Sequence, residues 1–298
     1  MKKKKNYILA FIIPFILCLI VLYLKGVLGD IDKFIVSDLK GQHLSFFSYF
    51  KNVLLGEASC IYTFNAGMGS SMLSTIIFYC ISPINILLLL LKDIRYAVLF
   101  IYLIKVSLAG LTMFILLKNK YERDSFGVVI FSICYALSSF VINYYFAIFW
   151  LDSLYLAPLV TLGIEKIFKT EKMNLVYILS LSLAIICNIQ MGFGLCVYSV
   201  IYYLYSFNIR YEIKKDFDKF KRLGIIFMIS SLCAGAISSG SLLGFMSSYS
   251  DVSVTRNLLV DESNNVANIG LIFKNLFTIG NYKDNYANMI EPYIYIVD

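Results

Sequence analysis

The chain has 298 residues, 59% apolar and 15% charged, with a net charge of +7 and a mean hydropathy of +0.77. A soluble domain averages about half apolar and a quarter charged, so this excess excludes a soluble globular protein. Four prolines, seventeen glycines and no polar low-complexity tract exclude a fibrous or disordered chain.

A membrane-spanning helix needs about 20 mostly apolar residues to cover roughly 30 Å of hydrocarbon. Such runs fall near 7–28, 71–91, 96–117, 126–146, 151–168, 174–190, 193–208 and 223–246. The first follows Lys2, Lys3, Lys4 and Lys5. Its apolar stretch exceeds a signal peptide's and no A-x-A-like site closes it, so an uncleaved anchor is expected. Short cytoplasmic loops carry the Lys/Arg excess. The N-terminus, Lys118/Lys120/Arg123, Lys166/Lys169/Lys172 and the segment from Arg210 to Arg222 hold more than half of the 26 basic residues. All four are therefore expected in the cytoplasm.

That assignment leaves one apolar run too many between residues 29 and 118. Run 71–91 carries Ser74, Ser82, Pro83 and Asn85, and Pro83 breaks a continuous helix near its middle. It is expected to dip into the outer face, although a full span with a later loop breaking the charge rule also fits. The expected architecture is an all-α integral membrane protein with about seven transmembrane helices and interfacial helices in the first external loop. The transmembrane domain covers 1–246, with external loop 29–95 and further outer turns at 147–150 and about 191. Residues 247–298 form an extracytoplasmic tail that ends on a new apolar start, Pro292 to Val297, so the chain is expected to be incomplete as a catalytic unit.

Several residues in these elements are candidates for chemistry. The first external loop holds Asp30, Asp32 and Asp38, then Lys40, Gln42 and His43, and later Asn65-Ala66-Gly67-Met68-Gly69. A carboxylate at a membrane surface is the group a general base requires, though solvated loop charges fit the spacing too. Asp152 follows Trp150 at an expected outer boundary, where a helix N-terminus also favours an acid. Lys105 lies mid-span, where a lysine usually faces a bundle interior or an aqueous cavity. Gly240-x-x-x-Gly244 fits helix packing. The seven cysteines form no C-x-x-C pair and the one histidine lies in no metal cluster, so no metal or cofactor is indicated. The positive charge fits topology rather than a nucleic-acid partner, since no basic–aromatic platform is present.

Four patches in order resemble the YfhO-like family of bacterial membrane proteins, which belong with glycosyltransferases of GT-C fold. They are Ser37-Asp38 with Gln42; Asn65 to Gly69 followed by Ser82-Pro83-Ile84-Asn85-Ile86-Leu87; Trp150-Leu151-Asp152 with Ala157-Pro158-Leu159 and Gly163-Ile164-Glu165; and Cys187-Asn188-Ile189-Gln190-Met191-Gly192-Phe193. The resemblance implies a bundle in the bacterial cytoplasmic membrane with its N-terminus cytoplasmic. It also implies a polyprenyl-phosphate sugar donor and a cell-surface polymer acceptor such as a teichoic or lipoteichoic acid. The family's essential acid in the first external loop matches Asp38, with Asp152 beside it at the catalytic centre. Gln42, Asp152 and Asn65 then contact acceptor or sugar, and Lys40 or Arg256 the phosphate. Ile189-Gln190 departs from the family's paired tyrosines. Family members are also longer, so this chain corresponds to their N-terminal part. The alternatives are a transporter or flippase for a lipid-linked precursor, and a non-catalytic assembly partner.

Overall fold

The computed structural model describes residues 2–66, 69–211 and 215–257, with side chains described for 5–66, 69–211 and 215–246. Helix α1, Lys2–Leu24, shows how the sequence sorts its faces. Ile8, Ile12, Ile16 and Ile20 recur every fourth residue and are exposed, whereas Ala10, Pro14, Cys18 and Leu22 recur at the same spacing and are buried. Two faces of one helix thus meet lipid and protein respectively. The inward face packs on α4, Ile94–Tyr121. Pro14 has no N–H to give the Ala10 carbonyl, and that carbonyl faces Gly110 of α4. A Cβ at Gly110 would sit 2.5 Å from the Ala10 oxygen and 3.0 Å from Pro14 Cγ, so only glycine allows this approach.

The segment between α1 and α4 holds α2, Leu44–Leu54, and a two-stranded antiparallel pair, β1, Tyr62–Thr63, with β2, Ser70–Ser71. Run 71–91 becomes two arms, α3 at Leu73–Cys80 and a 3-10 helix at Pro83–Leu90, bent by 95° at Ile81–Ser82. The break expected at Pro83 is therefore present. Ser82 caps the second arm by accepting from Ile84 N at 3.3 Å, and Pro83 occupies the first-turn position that needs no N–H partner.

Beyond α4, helices α5, Phe126–Ala136, and α6, Ser139–Asn143, together make one crossing. Helix α7, Leu151–Thr170, packs on α4 and carries a second interior proline. Pro158 leaves the Leu154 carbonyl without its helical donor, and Tyr135 OH of α5 donates to it at 2.7 Å. Helices α8, Leu175–Cys187, and α9, Ile189–Arg210, form a tight pair, followed by α10, Phe217–Asn257. Gly163 of α7 abuts the Tyr177 backbone of α8, and Gly192 of α9 abuts Ile185 of α8.

Among the described residues six helices are long and apolar enough to cross a membrane, or seven if the bent pair counts as one. The exception among the expected crossings is α8, whose 13 residues cover about 20 Å. Two expected outer turns differ from the sequence-based positions. The turn placed near 191 lies at Asn188, which is wholly buried, and residues 147–150 form a largely buried turn over Ile148–Trp150. Both are covered because the segment between α1 and α4 folds down over them.

All four basic patches meet at one end of the bundle. Asn6 donates to Asp124, which also pairs with Lys118 at 2.6 Å, and Lys118 lies over the Tyr7 ring. Glu165 receives Lys120, Arg210 and Tyr202, while Glu171 receives Lys219 and Arg222. Segments 25–66 and 69–93 lie at the opposite end.

Candidate functional site

The segment between α1 and α4 meets the bundle around one buried ion pair. Lys105 of α4 and Asp152 in the first turn of α7 are both 0% exposed, and Lys105 Nζ donates to Asp152 Oδ2 at 2.6 Å. The α7 N-terminus adds its own preference for an anion at Asp152. Lys105 also donates to the Ile148 carbonyl at 3.2 Å. Asp152 Oδ1 accepts from Ser82 Oγ at 2.6 Å and from Tyr155 OH at 3.0 Å. Two opposite charges can stay in so dry a place only because each is paired and further hydrogen-bonded.

The same depth gathers the other chain breaks. At 1.5 Å per residue, Lys105 stands about 20 Å along α4 from Lys118, and Asn188 about 20 Å along α8 from Asn174. Asn188 accepts from Met191 N at 2.8 Å, capping α9, and donates to the Phe78 carbonyl of α3 at 3.2 Å. Asn85 donates to the Cys80 carbonyl at 2.7 Å and fixes the bend from within. The apex of the bent pair, the start of α7 and the α8–α9 turn thus form one polar floor within the bundle.

Above that floor lies an aromatic layer. Phe149 packs against His43 and Tyr79 with centroids 5.0 and 4.8 Å away, and His43 Nδ1 lies 3.3 Å from the Phe146 carbonyl. Segment 146–152 therefore holds His43 through Phe146, Lys105 through Ile148, and the buried acid itself. Asp38 is exposed and opens the π-helical turn Leu39–His43 without a side-chain bond to it. It stands at the head of the turn that carries His43 into the aromatic layer. Ser37, just before it, adopts a left-handed φ of 50°, a conformation that costs of order 1 kcal/mol or more outside glycine. Such strain and π-turns both concentrate at functional sites.

Burial holds the His43 imidazole below its ordinary value of 6.5, against the opposing pull of the Phe146 carbonyl and the Asp38 charge. The unfolded chain then binds more protons between the two pKa values. Stability is complete above about 6.5 and falls as pH drops below it, until the folded imidazole protonates as well. Thermal unfolding in detergent is expected to show this loss as the pH falls below about 6.5, and His43→Gln to flatten it.

The other expected site residues are dispersed. Lys40 and Gln42 are exposed on the same turn as Asp38. Asn65 lines a cleft of about 510 Å³ between α2 and the β pair, whose walls include Tyr49, Asn52, Thr63 and Met72 but not Asp38. The Arg256 side chain lies outside the described residues. Lys105 was visible as a mid-span cation, but its partnership with Asp152 and the roles of Ser82 and His43 were not. The available signal was complementarity, one cation in an apolar run and one acid at the edge of another.

These features define a polytopic all-α membrane protein with an elaborated segment between its first two long helices. The chain belongs to the family described as bacterial membrane protein YfhO, which matches residues 10–297. No curated protein and no solved structure matches the chain.

Proposed function

We propose that the protein is a membrane glycosyltransferase that moves a sugar from a polyprenyl-phosphate donor to a cell-surface polymer of the teichoic-acid type. The reaction takes place at the outer face of the cytoplasmic membrane. The observation that carries this reading is Asp38 itself, an exposed carboxylate beside a strained residue, at the head of the turn that bears His43 and opposite the basic end. In the reaction Asp38 takes the proton from an acceptor hydroxyl. That oxygen attacks the anomeric carbon with inversion, and the bond from that carbon to the lipid phosphate breaks, releasing the lipid phosphate. Lys40 and Gln42, on the same turn, contact the phosphate and the sugar or acceptor, and Asp152 positions the site from below through Ser82 and the start of α7. The decisive test is compositional analysis of envelope polymers from cells with and without the gene, in which one glycosyl substituent is expected to disappear.

The orientation rests on the positive-inside rule applied to the gathered basic end. With exposed Cys60 changed to serine, Lys40→Cys and Asp93→Cys are expected to react with an impermeant thiol reagent on intact cells, and Lys120→Cys is not. Labelling of Lys120→Cys alone would reverse the orientation.

A second reading, a flippase for a lipid-linked precursor, draws on the bent pair and the buried Lys105–Asp152 pair. Broken helices with polar groups meeting at membrane depth are the usual device of transporters. It differs from the first in making the buried pair, rather than Asp38, the residues that must stay ionised.

A further inference from the structure

We infer that a groove between α1 and the α5–α6 crossing holds one phosphate-bearing membrane lipid, with Lys25 and Lys33 as the headgroup contacts. The inference needs only the membrane setting and stands independently of the sugar-transfer reading. The groove has a volume of about 470 Å³ and is walled by Leu17, Val21, Tyr102, Val141, Ile142 and Tyr145, together with the two lysines. Leu17, Val21 and Lys25 recur every fourth residue, so one face passes from apolar to cationic as α1 gives way to its closing turn. That gradient is the shape of an amphiphile. Leu17, Val21 and Ile142 are exposed, which opens the apolar part sideways to the bilayer.

The headgroup end is distinctive for a second reason. Lys33 folds back over the turn that follows α1, where a Cβ added to Gly26 would lie 3.1 Å from its Nζ. Lys33 Nζ therefore lies beside Gly26, the neighbour of Lys25, both lysines line the groove, and neither has an acidic partner among the described residues. Arg95 at this end pairs with Asp32 and Asp93, and Lys51 donates to the Leu91 and Lys92 carbonyls, while Lys40 and Lys92 lie outside the groove. Two unpaired like charges at the head of a lipid-facing groove call for an anion carried on a hydrocarbon chain, and basic pockets between membrane helices bind lipid phosphates in this way.

The test is native mass spectrometry of the purified full chain titrated with phosphatidylglycerol or with diacylglycerol bearing the same acyl chains. One phosphatidylglycerol is expected to remain bound under activation that strips diacylglycerol. Lys25→Gln/Lys33→Gln should weaken its binding roughly thirtyfold, the factor two lysines near a membrane surface supply. Ile142→Trp, which narrows the groove and leaves both charges, should weaken it too. Lys51→Gln/Lys92→Gln removes the same charge from outside the groove and should leave binding intact. Unchanged thermal unfolding would show each variant folded, and a variant that fails to fold is replaced by Lys25→Gln or Lys33→Gln alone, each expected to give a partial loss. Equal binding of diacylglycerol, undiminished binding in the Lys25/Lys33 double variant, or an equal loss in the Lys51/Lys92 control would overturn the assignment.

Discussion

Asp38→Asn is expected to reduce polymer glycosylation by roughly two to four powers of ten, the usual share of a general base, with the protein still folded. The substitution keeps the size of the side chain and removes its basicity. Asp38 makes no cap bond to the turn it opens, so little structure depends on its charge. The neighbouring acids differ. Asp30 Oδ1 accepts from Asp32 N and caps a 3-10 turn, while Asp32 pairs with Arg95 at 3.1 Å. Asp32 is largely exposed, so its pair contributes about 0–1 kcal/mol. Asp30→Asn and Asp32→Asn should thus lower glycosylation only a fewfold. Complementation of a deletion strain, with protein amount measured in the same membranes, separates the three. Equal losses at all three positions would assign the loop a collective electrostatic role and remove Asp38 as the base.

The contrast between Asp38 and Asp152 shows which parts of this protein its sequence displays. Spans and their shared basic end are legible because they depend on local quantities, apolar run length and loop charge. The bend at Ser82–Pro83 is legible because proline removes a donor wherever it stands. What escapes local reading is where polar groups from distant segments meet. Asp152 follows Trp150 and an aromatic run, which predicts a residue at the headgroup level. It is instead wholly buried, because α3 and the 3-10 arm fold over the α7 N-terminus and bring Ser82 to it. Asn188 is a similar case. As a residue of an apolar run it marks the α8–α9 turn two or three positions earlier than the expected one, and only the Phe78 carbonyl explains its burial. In Asp38 the sequence offers three equivalent carboxylates, and the structure separates them by giving two of them structural partners.

The Lys105–Asp152 pair carries the second large expected effect and the clearest division between the two functional readings. Removing one partner leaves an uncompensated charge in a dry site, so Lys105→Met or Asp152→Asn alone should cost roughly 3–5 kcal/mol of stability. Lys105→Met strands a carboxylate with Ser82 and Tyr155, and Asp152→Asn strands an ammonium with the Ile148 carbonyl. The double variant Lys105→Met/Asp152→Asn removes both charges, and its amide still accepts from Ser82 and Tyr155. Replacing a whole buried pair by neutral groups of similar volume is often close to neutral, so the double variant should recover most of either single loss. Thermal unfolding in detergent checks this, and simple additivity of the two losses would show that the pair is not one energetic unit. The folded double variant then separates the functions. If Asp38 does the chemistry and the pair only holds α4, α7 and the bent arms together, the variant should retain substantial glycosylation. A stable double variant that has lost all activity, with Asp38 intact, would place the working charge at the buried pair and favour the flippase.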